Sequence, residues 1–176
     1  MMVENVSFLL PYAVLASHAV FLIFFLSLVF RNNWGKNVSL WLGKHALGLA
    51  LLVTLAAVAG SLFYSEIVGF EACMLCWWQR VFLYPLVIIF GIAFWKKHTS
   101  AFLYAVPFAL IAAFIALYHS FVQLGGTSLI PCTNLGGDCA RIYVLAFNYI
   151  TIPTMSLTIA IYVLILAWAN KIYSAR

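Results

Sequence analysis

Four cysteines carry the spacing that could do covalent chemistry in this chain. Cys73 and Cys76 form a C-x2-C pair, and Cys132 and Cys139 a C-x6-C pair. Bonding a C-x2-C closes so small a loop that little chain entropy is removed, which makes it a poor staple and a common redox pair. Four cysteines allow three pairings, and proximity along the chain favours Cys73 with Cys76 and Cys132 with Cys139. Two other readings compete. The pairs could be plain structural staples, or the four thiols could share a zinc ion, since C-x2-C is also a zinc half-site. The C-x6-C half is loose for zinc, and a thiolate cluster would have to survive where disulfides form.

Arg80 lies four residues after Cys76, and Gln79 three, so both share a helical face with that cysteine. A helix N-terminus there would favour a thiolate at Cys76. A low-pKa sulfur beside a membrane-level cation is what a quinone oxidant needs, with Gln79 available to hydrogen-bond a carbonyl. The plainer reading of Arg80 is a snorkelling interfacial residue, and that of Gln79 a contact to neighbouring helices. His119 ends an apolar run and reaches the same membrane level, where a structural hydrogen-bonding role competes with a functional one. His18 has no identifiable partner, and His45 falls at a cytoplasmic helix end. Trp77 and Trp78, like Trp34, Trp41 and Trp95, read first as interfacial anchors.

The elements that must position these residues follow from composition. Of 176 residues, 66% are hydrophobic and 7% charged, which excludes an ordinary soluble globule. Four acidic residues leave no reservoir for paired-carboxylate hydrolysis, and no P-loop or GxGxxG run is present to hold a nucleotide. The net charge of +5 is spread thinly between apolar runs and carries topology rather than nucleic-acid binding. Stretches free of charge predict five transmembrane helices near 8–30, 44–66, 77–95, 100–121 and 150–170. The expected fold class is therefore all-α, an integral membrane bundle with its N-terminus outside and its C-terminus cytoplasmic.

Glu4 before the first run and Arg31 after it are the reverse of a signal peptide. With the N-terminus outside, Arg31, Lys36, Lys44, Lys96, Lys97, Lys171 and Arg176 fall inside, seven of the nine basic residues. Arg80 and Arg141 are left outside with Glu66, Glu71 and Asp138, and the positive-inside rule fixes that orientation. All four cysteines then face the outer side, where disulfides are permitted. The segment 122–149 is expected as an external loop, turned by Gly125, Gly126, Pro131, Gly136 and Gly137. Its apolar end, Ile142, Tyr143, Val144, Leu145 and Phe147, is expected along the membrane interface.

The run C-M-L-C-W-W-Q-R-V-F-L-Y-P at 73–85 resembles the CxxC-WYQR-xxxYP signature of the DsbB/BdbC disulfide bond formation proteins. Y-H-S-F-V-Q at 118–123, P-C-T at 131–133 and Y-I-T-I-P-T-M-S-L-T at 149–158 recur in the order seen in BdbC-type members. The resemblance covers about 45–170. It implies a four-helix core at 44–176 carrying the cysteine loop, with 1–43 as an additional N-terminal helix and cytoplasmic loop. The short spacing of the second cysteine pair also departs from the commonest pattern.

The resemblance further implies a thiol:quinone oxidoreductase of the bacterial inner (plasma) membrane. Such an enzyme reoxidises a DsbA/BdbD-like thioredoxin-fold partner through Cys132 and Cys139, then Cys73 and Cys76, and passes electrons to ubiquinone or menaquinone. Arg80, Gln79 and His119 are the residues expected at the quinone, and no metal is expected. A vitamin K epoxide reductase-like oxidase is chemically close, but in that family the CxxC follows the loop pair. A membrane scaffold stapled by two disulfides is the non-enzymatic alternative.

Overall fold

The computed structural model describes residues 2–30, 35–129, 132 and 138–175, without the side chains of 2–7. Arg31, Trp34, Pro131, Gly136, Gly137, Arg176 and the Glu4 side chain therefore lie outside the described residues. Five helices are present: α1 (Met2–Val29), α2 (Lys36–Leu62), α3 (Met74–Lys96), α4 (Ala101–Gln123) and α5 (Ile152–Ser174). Each contains a segment long and apolar enough to cross a bilayer. The chain is thus an all-helical, multi-pass membrane protein, as its composition predicts.

Several boundaries differ from expectation, and at α2 the reason is that a lysine near a helix end does not stop the helix when its head can reach the interface. α2 begins at Lys36 and carries Lys44 within it, so His45 is not terminal; its Nδ1 lies 2.9 Å from the Trp41 carbonyl. α3 starts at Met74 rather than near Trp77, with Cys73 as its N-cap. α5 starts at Ile152, where Thr151 and Thr154 form a capping box and the Thr151 N–H donates to Thr154 Oγ1 at 2.7 Å.

α2 through α5 form the core. α2 packs on α3 and α5, and α4 fills the remaining side against α3 and α5. Ala105, Ala109, Ala112 and Ala116, spaced on one face of α4, are wholly buried and let its backbone approach both neighbours. α1 lies outside this group against α2 and α5. Its His18 has partners after all: Nε2 is 2.9 Å from Thr158 Oγ1 and Nδ1 is 3.2 Å from the Tyr149 hydroxyl. Both arrive from more than a hundred residues away, which is why neighbouring sequence does not reveal them.

The last turn of α2 widens into a π-helical turn, Phe63–Ile67, and Gly69 at φ 81° reverses the chain toward α3. Between α4 and α5 the described loop residues form no regular strand. A single bridge joins Ala146 to Ile150 around Phe147 and Asn148 at positive φ. Ile142, Leu145 and Phe147 are exposed, as an interfacial segment requires. Replacing Ala109 by Leu should overpack the centre of the bundle and lower stability by roughly 1–3 kcal/mol. Replacing the exposed Phe114 by Ala should lower it less, and thermal unfolding in detergent compares the two.

Candidate functional site

The cysteines gather at one end of the bundle. Cys73 caps α3, while Cys132 and Cys139 lie between the end of α4 and the start of α5. Cys132 and Cys139 are joined by a disulfide, with Cα atoms 5.6 Å apart, so this expected pairing is present. Cys73 and Cys76 are not bonded; they stand as thiols with sulfurs 3.1 Å apart. Cys73, Cys132 and Cys139 are all buried and share one apolar cluster with Leu75 and Val122.

His119 joins the two pairs. It is 2% exposed, and both ring nitrogens are engaged. Gln79 Nε2 is 3.1 Å from Nδ1, and an amide nitrogen can only donate, so Nδ1 accepts and the proton sits on Nε2. Nε2 in turn lies 3.1 Å from the Cys139 carbonyl and 3.7 Å from Cys73 Sγ. The imidazole thus lies where the outer disulfide meets the inner pair. It stands at the junction between the cysteine pairs.

Cys73 also receives the backbone N–H of Cys76 at 3.3 Å. Hydrogen bonding with the Cys76 side chain, and secondarily with His119, holds the Cys73 thiol down to about 4 against the opposing effect of burial. The helix N-terminus was expected to favour a thiolate at Cys76. α3 starts three residues earlier than expected, so Cys73 occupies the N-cap, and the Cys76 N–H adds a smaller contribution to the side-chain hydrogen bonds that lower its pKa.

Cys76 faces a different space. With Gln79, Arg80 and Tyr84 it lines a cavity of about 780 Å³ between α1, α2, α3 and α5. Most of the remaining wall is apolar, including Val53, Leu83 and Ile159. Arg80, two turns into α3, is held by Ser61: Nε donates to Ser61 Oγ at 3.0 Å and Nη2 to its carbonyl at 3.3 Å. The Tyr84 hydroxyl donates to the same Ser61 Oγ, and the guanidinium lies 5.2 Å from the centre of the Trp77 ring. These partners are neutral, and among the described residues no carboxylate forms an ion pair with Arg80, although Glu66 and Glu71 also line the cavity.

Tyr64 and Tyr143 also line the cavity, and their buried hydroxyls have no hydrogen-bond partner among the described residues. Buried polar groups ordinarily find one. Two unpaired hydroxyls, a fixed cation and a thiol at one end of an apolar space of this size fit a ligand with a polar ring and an apolar tail. A quinone is such a ligand. Cys73, Cys76 and His119 also place ligand atoms within 4.8 Å of one another, close enough for a metal ion. Ligation through Nε2 would require the proton now facing the Cys139 carbonyl to leave.

The model of the family "Disulfide bond formation protein DsbB" matches residues 43–170. The chain belongs to the DsbB family. Among curated relatives, it is 41% identical over 116 residues to "Disulfide bond formation protein C" of Bacillus subtilis, covering 65% of this chain and 83% of that protein. It is 34% identical over 129 residues to "Probable disulfide formation protein C 2" of Bacillus anthracis, covering 73% and 92%. The "SPbeta prophage-derived disulfide bond formation protein B" of Bacillus subtilis is 40% identical over 108 residues, with 61% and 73% covered. No solved structure matches significantly. Membership of the DsbB family makes the chain an oxidoreductase of disulfide formation. α1 falls wholly outside the matched residues.

Ser61, Tyr64, Tyr84 and Tyr143 are the site residues that sequence reasoning missed. The faint signal for Ser61 was the requirement that Arg80 find a partner; Tyr84 stands in the Tyr-Pro of the 73–85 motif and Tyr143 in the interfacial stretch, and nothing singled out Tyr64. The lowered Cys73 pKa gives a direct test. With Cys132→Ser and Cys139→Ser removing the other thiols, reduced protein should keep its thiolate absorption through neutral pH. The band should be lost only as pH falls through about 4. Cys76→Ala removes the main cause and should move that midpoint upward, toward the ordinary value of about 8.5.

Proposed function

We propose that the protein reoxidises a DsbA/BdbD-like thioredoxin-fold thiol oxidase on the extracytoplasmic face of the bacterial plasma membrane and delivers the electrons to a membrane quinone. One observation carries this reading: Cys73 adjoins the outer disulfide through His119, while Cys76, three residues on, opens to a cavity lined by Arg80. The topology supports the sidedness, since Lys36, Lys96, Lys97 and Lys171 lie at the helix ends opposite the cysteines.

The exchanges balance as follows. A partner thiolate attacks Cys132, forming a mixed disulfide and expelling Cys139 as a thiolate. The partner's second thiolate attacks its own bonded sulfur, closing the partner disulfide and freeing Cys132. Cys139 attacks a closed Cys73–Cys76 bond at Cys73, and Cys76 leaves as a thiolate into the cavity. Cys132 then attacks Cys139, restoring the outer disulfide and expelling Cys73.

A lower-pKa thiol leaves faster, and Cys73, held at about 4, is suited to that last departure. The net result is a closed outer pair and two electrons on Cys73 and Cys76.

A bound quinone would supply the two-electron acceptor that, with two protons, lets Cys73 and Cys76 close again. Arg80, Gln79, Tyr64 and Tyr143 are the groups that would hold it. Arg80 places positive charge beside Cys76, and Ser61 keeps the guanidinium from turning away toward water. A DsbA–DsbB–quinone chain is what keeps a bacterial periplasm oxidising, so the reaction assigned here has a physiological purpose.

Arg80→Lys keeps the charge but cannot reproduce both bonds to Ser61. It should raise the quinone KM and lower turnover by roughly tenfold while leaving thiol exchange at Cys132 nearly unchanged. Stopped-flow exchange with a reduced thioredoxin-fold partner, run beside steady-state quinone reduction, separates the two steps. Normal quinone kinetics in a folded Arg80→Lys protein would move the quinone site elsewhere. Cys139→Ser should trap a partner adduct at Cys132, and an adduct at Cys73 would reverse the order of transfer.

A further inference from the structure

The cavity beside Cys76 is not built by the family core alone. Leu10, Ala13, Val14, Ser17 and Phe21 of α1 form part of its wall, yet the DsbB family match begins at residue 43. Their spacing of three or four residues sets them along one face of α1. Phe8, Leu22 and Ile23 point away and are exposed. The inner face is pinned to α5 by three contacts: Ser17 Oγ to Tyr162 Oη at 2.9 Å, His18 Nε2 to Thr158 Oγ1 at 2.9 Å, and Phe21 stacked on Tyr162 with ring centres 3.5 Å apart.

The cavity has a polar end and a long apolar body. Along α5 its lining runs from Ile152 to Tyr162, a depth of about 15 Å at 1.5 Å per residue. Its polar lining includes Cys76, Gln79, Arg80, Glu66 and Glu71, and α1 contributes chiefly apolar side chains. Small residues keep this part open, with Ala13 on one side and Ala56, Ala57 and Gly60 of α2 on the other.

We propose that α1 is a specificity element for the quinone tail: it walls the apolar body of the cavity, so that the proximal isoprenoid chain binds against Leu10, Ala13, Val14 and Phe21 rather than in the surrounding lipid. This rests on the quinone reading above and extends it. In a four-helix core without α1, the same groove between α2 and α5 would lack this wall. The ring is then recognised by α3 and the tail by a helix outside the family match, which separates the two contributions to affinity.

Ala13 is exposed and reaches the cavity, so enlarging it fills the tail region without removing a core contact. The test uses the full-length protein in lipid nanodiscs, with quenching of its tryptophan fluorescence reporting binding of two quinones of identical ring, one tail-less and one multiply isoprenylated. Ala13→Phe should weaken the isoprenylated quinone at least about tenfold and leave the tail-less one within about twofold. Ala13→Leu should give an intermediate loss. Ile23→Phe, on the outer face of α1, should change neither.

An isoprenylated quinone with a photoreactive group in its proximal isoprenoid units should label residues 10–21 of α1. Equal effects of Ala13→Phe on both quinones, no effect on either, or labelling confined to α3 and α4 would overturn the assignment. Failure of the wild-type protein to bind either quinone would instead defeat the underlying quinone reading, and the tail assignment with it.

Discussion

A buried imidazole must satisfy both ring nitrogens from within the protein, because water is not there to do so. His119 meets that requirement by drawing on two other parts of the chain: Gln79 from α3 at Nδ1 and the Cys139 carbonyl from the loop at Nε2. Each partner has only one suitable role there, donor on one side and acceptor on the other. The register of α3 against α4, and the position of the cysteine loop over both, are set together. Proximity of Cys73 to the outer pair follows from that arrangement. A shift of α3 by one residue would rotate Gln79 by about 100° and leave His119 with a buried, unpaired nitrogen.

The same register divides the inner cysteines between two environments. Cys73 is the N-cap and lies in the apolar cluster with the outer disulfide; Cys76, one turn on, lines the cavity. A C-x2-C at a helix start is well suited to this division. Its first sulfur collects hydrogen bonds from the free N-terminal amides, and its second points into whatever space the helix borders. Closing or opening a bond between these two cysteines requires no large movement of α3, since the sulfurs are already 3.1 Å apart.

Much of this was legible in the chain. Five charge-poor runs specify five membrane helices, and the C-x2-C with Arg80 four residues later marks the site, because an arginine at that depth is too costly to be idle. What escaped sequence reading was long-range. His18 has no partner in neighbouring sequence because Thr158 and Tyr149 lie more than a hundred residues away, and the contacts of His119 with Gln79 and the Cys139 carbonyl cannot be read from helix length, which gives its depth but not its direction. The start of α3 lies three residues before the expected one, which makes Cys73 the N-cap. Boundaries drawn from charge miss helices that continue into the interface.

The attachment of α1 shows how a membrane protein adds an element to an established core. Between helices in lipid, apolar surface provides little driving force, since the bilayer offers equally apolar contacts. α1 has mostly such surface, with Phe8, Leu9, Leu22 and Ile23 exposed, and that surface cannot choose a docking position. The choice falls to the few groups that would be costly to leave in hydrocarbon. Ser17 and His18 are adjacent and face α5, where Tyr162 and Thr158, four residues apart, form matching partners on one helical face. Each hydrogen bond contributes only about 0.6–2 kcal/mol in a membrane, but an unpaired imidazole or hydroxyl has no alternative there. Two polar residues therefore determine where a 28-residue helix lies, and by doing so they determine which of its apolar residues meet the cavity.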